Sequence, residues 1–304
     1  MRVATANSFD TTVSNLARRQ SELIAQQERL STGKRVLRAS DDPVAATLAE
    51  ATQNRLSRVQ GDLRAMETSR ASLIQVESGL GESVDLIQKA RELIIAAGNG
   101  SYGPNERKAI ANELKGLREQ MFAVANRQDS TGRTLYGGLG GAMTPFTDNF
   151  PSGSFGGQRG QQAAGNASLP QSLDGNAIWM QIPESSGAGT TTIFRVMQDT
   201  VDALVTGADA TRTATLSRTL AELDAGLDRV SLARGYAGEM LNRADSLKST
   251  LSSRVVANER EKSQLEDLDM IAGISDFQNQ QVGMEAALKS YAQVQRLSLF
   301  EFVR

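Results

Sequence analysis

Apolar residues recur at intervals of three and four over most of the chain, and the places where that rhythm stops divide it into helices. Phe9, Val13, Leu16, Gln20, Leu23, Gln27 and Leu30 are spaced four, three, four, three, four, three, a heptad seam with two glutamines in it. The spacing predicts a first helix from about Ser8 to Leu30, closed by Gly33, a residue suited to a left-handed C-terminal turn. Asp42 as N-cap, with Pro43 at the first helical position, starts a second. Its seam runs Val59, Leu63, Met66, Arg70, Leu73, Glu77, Leu80, Val84, Ile87, Arg91, Ile94 and stops before Gly98-Asn99-Gly100. A helix from Pro43 to Ala97 would be a rod of roughly 80 Å at about 1.5 Å per residue. Arg70, Glu77 and Arg91 on that seam are expected to snorkel or to pair with neighbouring helices.

Pro104 opens a third helix with Ile110, Leu114, Leu117, Met121 and Val124 inward, expected to lie antiparallel on the second because the connection is short. The rhythm is then lost until Thr192. It returns as Phe194, Met197, Val201 and Leu204, breaks at Gly207, and resumes from Leu216 to about Leu265 as a second long rod. Ser275 with Gln278 reads as a capping box for a last helix. Phe277, Met284, Leu288 and Tyr291 form its apolar stripe, followed by Leu297, Leu299 and Phe300. Chain ends are normally polar and frayed, so an end this apolar implies a partner surface, part of which the first helix supplies.

Composition sharpens the break in the middle. Gly132 to Gly189 holds 13 of the 27 glycines, four of the six prolines, the sole Trp and five charged residues. Alternation at Ile178, Met180 and Ile182, with Trp179 on the other face, predicts short strands and turns with a core of their own, so that the unit could be removed. The expected fold is mainly α, an elongated antiparallel bundle of long helices with terminal coiled-coil helices and a small β-rich insert. The expected division is a terminal assembly part (1–40 with 275–304), a helical bundle (41–135 with 193–274) and the insert (136–192).

Charge and candidate chemistry narrow the function. A net charge of −2 and pI near 5.5 give no reason to expect a nucleic-acid partner. Residues 1–40 carry seven Arg or Lys against three acids, and 255–276 carry two against six, so the two ends complement each other. No stretch of about 18 apolar residues offers a membrane anchor, and no basic-then-apolar signal segment opens the chain. The sequence has no His and no Cys, which removes the commonest general base and every Ser-His or Cys-His nucleophile. Asp41 with Asp42, and Glu266 with Asp267 and Asp269, match no calcium-loop spacing, and capping or solvation explains each more simply. No catalytic, cofactor or metal site is expected.

Glu28-Arg29-Leu30-Ser31-Thr32-Gly33-Lys34-Arg35-Val36, followed by Ala39-Ser40-Asp41-Asp42-Pro43-Val44-Ala45-Ala46, resembles the amino-terminal signature of the bacterial flagellin superfamily. Ala286-Ala287-Leu288-Lys289-Ser290-Tyr291-Ala292-Gln293-Val294, with Leu297-Ser298-Leu299-Phe300, is similar to its carboxy-terminal helix, and Leu241-Asn242-Arg243 to a further shared segment. The likeness spans roughly residues 1–136 and 193–304; the insert resembles nothing in it. Asp41-Asp42-Pro43 and Ser298-Leu299-Phe300 favour the branch that joins hook to filament. The resemblance implies a secreted, extracellular structural subunit of the flagellum, exported by a type III apparatus. It implies self-assembly into a ring or helix, with the first hook-associated protein, flagellin and an export chaperone at the C-terminal region as partners. Phe9, Val13, Leu16, Leu23, Leu30, Phe277, Met284, Leu288, Tyr291, Leu297, Leu299 and Phe300 are the expected assembly interface, and Arg35, Asp41, Asp42 and Pro43 the signature loop and helix cap. A short flagellin forming the filament itself is the alternative, and a glycan-binding insert a more distant one, disfavoured because Asp148, Asp174 and Glu184 are its only acids.

Overall fold

The structure is a computed structural model that describes the backbone of residues 2–140, 143–160, 162–164, 169–185, 187 and 189–302, and side chains within 10–293. Helices dominate: α1 (Arg2–Thr32), α2 (Pro43–Ala97), α3 (Pro104–Ala125), α4 (Ile193–Thr206), α5 (Asp209–Glu266) and α6 (Met270–Phe302). Between α3 and α4 lie three two-stranded antiparallel ribbons, β1 (Phe146–Thr147) with β2 (Ser154–Phe155), β3 (Gln162–Ala164) with β4 (Leu169–Ser172), and β5 (Ile182–Pro183) with β6 (Thr190–Thr191). The chain packs as two compact units, one of residues 1–59 and 253–304, the other of 60–252.

In the second unit the seven-residue repeat is visible in what is buried. Met66, Leu73, Leu80, Ile87 and Ile94 of α2 are inaccessible, as are Leu216, Leu223, Val230, Ala237, Ala244 and Leu251 of α5. A strict seven-residue repeat keeps one face inward only if the helices coil around each other. Ion pairs on the flank set the direction: Glu67–Lys248 (3.3 Å), Arg70–Asp245 (2.8 Å), Glu77–Arg234 (2.7 Å) and Arg91–Asp224 (2.8 Å). One number falls as the other rises, so α5 runs antiparallel to α2. Arg70, Glu77 and Arg91 thus pair across to the second rod. Such exposed pairs are worth under about 1 kcal/mol each and act mainly on register.

Among the described residues the insert has no core of its own. Phe146, Trp179 and Ile182 belong to the same buried cluster as Leu80, Met121, Phe194 and Leu223. Aromatic contacts continue this join, with Phe122 stacked on Phe194 at 3.8 Å and Trp179 edge-on to Tyr136 at 4.7 Å. The Tyr136 hydroxyl donates to the Val76 carbonyl at 2.9 Å, in a space that Gly79 leaves open and a Cβ there would fill. Arg118, buried, donates to both Asp148 oxygens (2.9 and 2.6 Å) and to the carbonyls of Phe194 and Pro151.

Two local expectations are corrected. Residues Asn176–Met180 form a π-helical turn, started by the Asp174 carboxylate accepting from the Asn176 amide at 3.0 Å. Neighbours in a helical turn can share a face, so Ile178 and Trp179 are both buried instead of alternating. Helix α3 also packs closely on α4, where Phe122 and Arg118 both engage Phe194, while its Leu114 and Met121 share the buried cluster with Ile87 and Ile94 of α2. The last helix begins at Met270: Asp269 accepts from the Ile271 and Ala272 amides at 3.0 and 3.2 Å, which places Ser275 and Gln278 inside the helix instead of at its cap.

Candidate assembly surface

The first unit is built on α1, α6 and a clasp between them. Gly33 takes the left-handed conformation (φ +70°) as its amide caps the Arg29 carbonyl at 2.9 Å. The chain then turns against the α5–α6 connection, where Arg35 N donates to Glu266 O (2.7 Å) and Leu268 N to Gly33 O (2.9 Å). Lys34 pairs with Glu266 at 2.9 Å, and the Arg35 guanidinium reaches both Asp42 (3.2 Å) and the Leu265 carbonyl (2.9 Å). Asp41 accepts from the amides of Arg38 (3.0 Å) and Leu37 (3.1 Å), and these hold its carboxyl below the ordinary range. Asp42 caps α2 through the Ala45 amide (3.0 Å), and that bond, with Arg35, lowers its carboxyl too. Pro43 follows as the first residue of the helix.

Helices α1 and α6 pack antiparallel. The buried Gln26 amide donates to the Gly273 carbonyl at 3.2 Å, and a Cβ on Gly273 or Gly283 would meet Leu30 or Arg19. Leu16, Leu23 and Leu30 are half-buried on the α1 side, and Phe277, Met284 and Tyr291 on the α6 side. Gln20 and Gln27 are exposed; the glutamine of the seam is Gln26, because the contact follows the helix's natural 3.6-residue drift and not a strict heptad. Val13 and Leu288 face outward. The side chains of Phe9, Leu297, Leu299 and Phe300 lie outside the described residues.

Burial in this unit is inverted. Among its described residues the fully buried apolar side chains are Val36, Ala45, Ala49 and Leu56, whereas Val13, Ile24, Val44, Leu48, Ile271, Ile274, Val282 and Leu288 are all open to solvent. Ile271 is 85% exposed and Val282 67%. Ile24, Ile271, Ile274 and Val282 are absent from the predicted interface. Ile271 and Ile274 precede the helix start expected at Ser275, which is why the stripe read from Phe277 omitted them. So many large apolar side chains open to solvent in one unit point to a surface that a partner covers. Among the described residues, no cluster of His, Cys, Asp and Glu is arranged to hold a metal ion.

Residues 3–139 match the family of the bacterial flagellin N-terminal helical region. Flagellar hook-associated protein 3 of Escherichia coli K12 is 30% identical over 99% of both chains, and its counterpart in Salmonella typhimurium 31% identical over 100% of both. The chain belongs to the flagellar hook-associated protein 3 family. Flagellin of Bacillus subtilis is similar at 25% identity over 96% of this chain and 94% of its own length. The fold of this hook-associated protein 3 family member is also that of a putative flagellar hook-associated protein from Vibrio parahaemolyticus, with TM-score 0.67, 16% identity and coverage of 75% of this chain and all of that one.

Proposed function

We propose that the chain is a structural subunit of the bacterial flagellum that joins the hook to the flagellin filament, assembling with its own copies through α1 and α6. The inverted burial of the first unit carries this reading, since Ile271, Val282 and Ile24 gain a nonpolar environment only when another chain covers them. Full-length similarity to hook-associated protein 3 at 30–31%, against 25% to a full-length flagellin, favours the junction over the filament. The compact unit that holds the expected assembly residues consists of 1–59 and 253–304.

In this reading the first hook-associated protein lies on one side and flagellin on the other. The subunit leaves the cell by type III export, with a chaperone covering the apolar α6 until assembly. No catalytic step or cofactor enters; Arg118 and Asp148 hold the insert in place. Deletion of the gene tests the reading. A junction subunit's loss leaves hooks intact with flagellin shed into the medium, whereas loss of a filament subunit removes the filament without shedding.

A further inference from the structure

The sequence contains a single Asn-Gly step, Asn99-Gly100, in the turn between α2 and α3. Asn99, Gly100 and Ser101 are all exposed. The backbone around them is held: Gly98 N donates to the Ile94 and Ile95 carbonyls (3.1 and 3.2 Å), Asn99 N to Ala96 O (3.0 Å) and Tyr102 N to Asn99 O (3.2 Å). The Asn99 side-chain oxygen is engaged as well, accepting from the Ser101 amide at 3.2 Å and the Ser101 hydroxyl at 3.0 Å. Two nitrogens are left over. Asn99 Nδ2 and Gly100 N make no hydrogen bond within the protein. They are the leaving group and the nucleophile of succinimide formation, and the two donors on Oδ1 draw electrons from the Cγ that would be attacked.

We infer that Asn99 is a site of spontaneous deamidation in the folded protein. Gly100 N gives its proton to solvent and bonds to Asn99 Cγ; the Cγ–Nδ2 bond breaks and that nitrogen leaves as ammonia. Water then opens the succinimide ring. Cleavage at Cγ leaves an aspartate at position 99, and cleavage at the main-chain carbonyl leaves an isoaspartate, with the chain running through Cβ and Cγ. Glycine matters because it has no Cβ to crowd the attacking nitrogen. The comparable step Asp174-Gly175 is closed to this reaction. Gly175 is buried, its amide donates to Tyr136 O at 3.1 Å, and the Asp174 carboxylate accepts from the Asn176 and Gly160 amides at 3.0 and 3.2 Å. The two products at Asn99 act differently on the turn. Aspartate keeps the Ser101 bonds as charge-assisted ones, although its charge lies just past the C-terminus of α2, where the helix dipole disfavours it. Isoaspartate moves the carbonyl that Tyr102 N bonds out of the main chain, and the Tyr102 carbonyl is what Arg107 of α3 holds at 2.6 Å. Either product adds one negative charge to a chain whose formal net charge is −2, so charge at this turn records the age of a subunit.

The test ages the purified full-length subunit in mildly alkaline buffer at physiological temperature, folded in one arm and unfolded in guanidinium in the other. Peptide mass spectrometry and an isoaspartyl-specific methyltransferase read the products. In the folded arm the peptide holding Asn99 is expected to convert before every other asparagine peptide, with the intact chain moving one charge toward acid on isoelectric focusing. Isoaspartate at Asp174 is expected only in the unfolded arm. A Cβ on Gly100 would meet nothing within 4 Å and the residue is not left-handed, so Gly100→Ala should keep the melting temperature. It should slow conversion of Asn99 on the order of tenfold or more. Asn99 that stays intact in the folded arm, Gly100→Ala that converts as fast as the natural chain, or isoaspartate at Asp174 of the folded chain as early as at Asn99 would each overturn the inference.

Discussion

Arg118 is the residue on which the insert's attachment turns. Its side chain is only 4% exposed, yet the guanidinium serves Asp148, two backbone carbonyls and, at 5.0 Å, the face of the Phe122 ring. Removing one partner of such a group leaves the others unsatisfied, at a cost of about 3–5 kcal/mol. Asp148 is half exposed, so part of the pair is screened and the lower end, about 3 kcal/mol, applies. Arg118→Ala is therefore expected to lower the melting temperature of the second unit by roughly 6–12 °C; a shift under 2 °C in calorimetry would show that the insert is held by its aromatic contacts alone. This arrangement was illegible in the sequence. Arg118 stands beside Leu117 in an ordinary helical pattern, and its partners at 148, 151 and 194 are reached only after the chain has folded.

At the scale of elements, boundaries were legible where one local signal stood alone. Asp42-Pro43 and Gly33 start and stop helices by backbone chemistry that needs no tertiary help. The start of α6 was missed because Asp269 and Ser275 both offer a cap, and the structure uses the first. The clasp from Gly33 to Asp42 follows from the same chemistry and carries a pH dependence. Asp41 and Asp42 both titrate below the ordinary value of 3.8, Asp41 through the Arg38 and Leu37 amides and Asp42 through the Ala45 amide and Arg35. A depressed carboxyl contributes stability that is fully present above its unfolded-state value and is lost as pH falls through the lower folded value. The Leu37, Arg38 and Ala45 amide resonances should therefore be constant from neutral pH down to about 4 and shift together below it. Movement of all three near pH 6 would mean that these carboxylates are not what holds the loop.

At the scale of the whole molecule, the sequence already showed which parts keep a core and which do not. Apolar residues on strict heptads are buried along α2 and α5 of the second unit, whereas α1 and α6 of the first unit leave Ile24, Ile271 and Val282 open to solvent. The shared core of insert and helices was hidden because glycine-rich composition speaks of local chain flexibility and says nothing of what the aromatic residues touch. Protection of backbone amides from exchange follows the free energy of local opening, which tracks buried contact. Amide exchange on the free subunit and on assembled flagella is the most direct test. In the free chain Met66–Ile94 should be strongly protected, while the described parts of α1 and α6, residues 10–32 and 270–293, exchange on the order of 100-fold faster or more, and assembly should bring both helices to comparable protection. Equal protection of α1, α6 and Met66–Ile94 in the free subunit would contradict the account, since the first unit would then be stable without a neighbour.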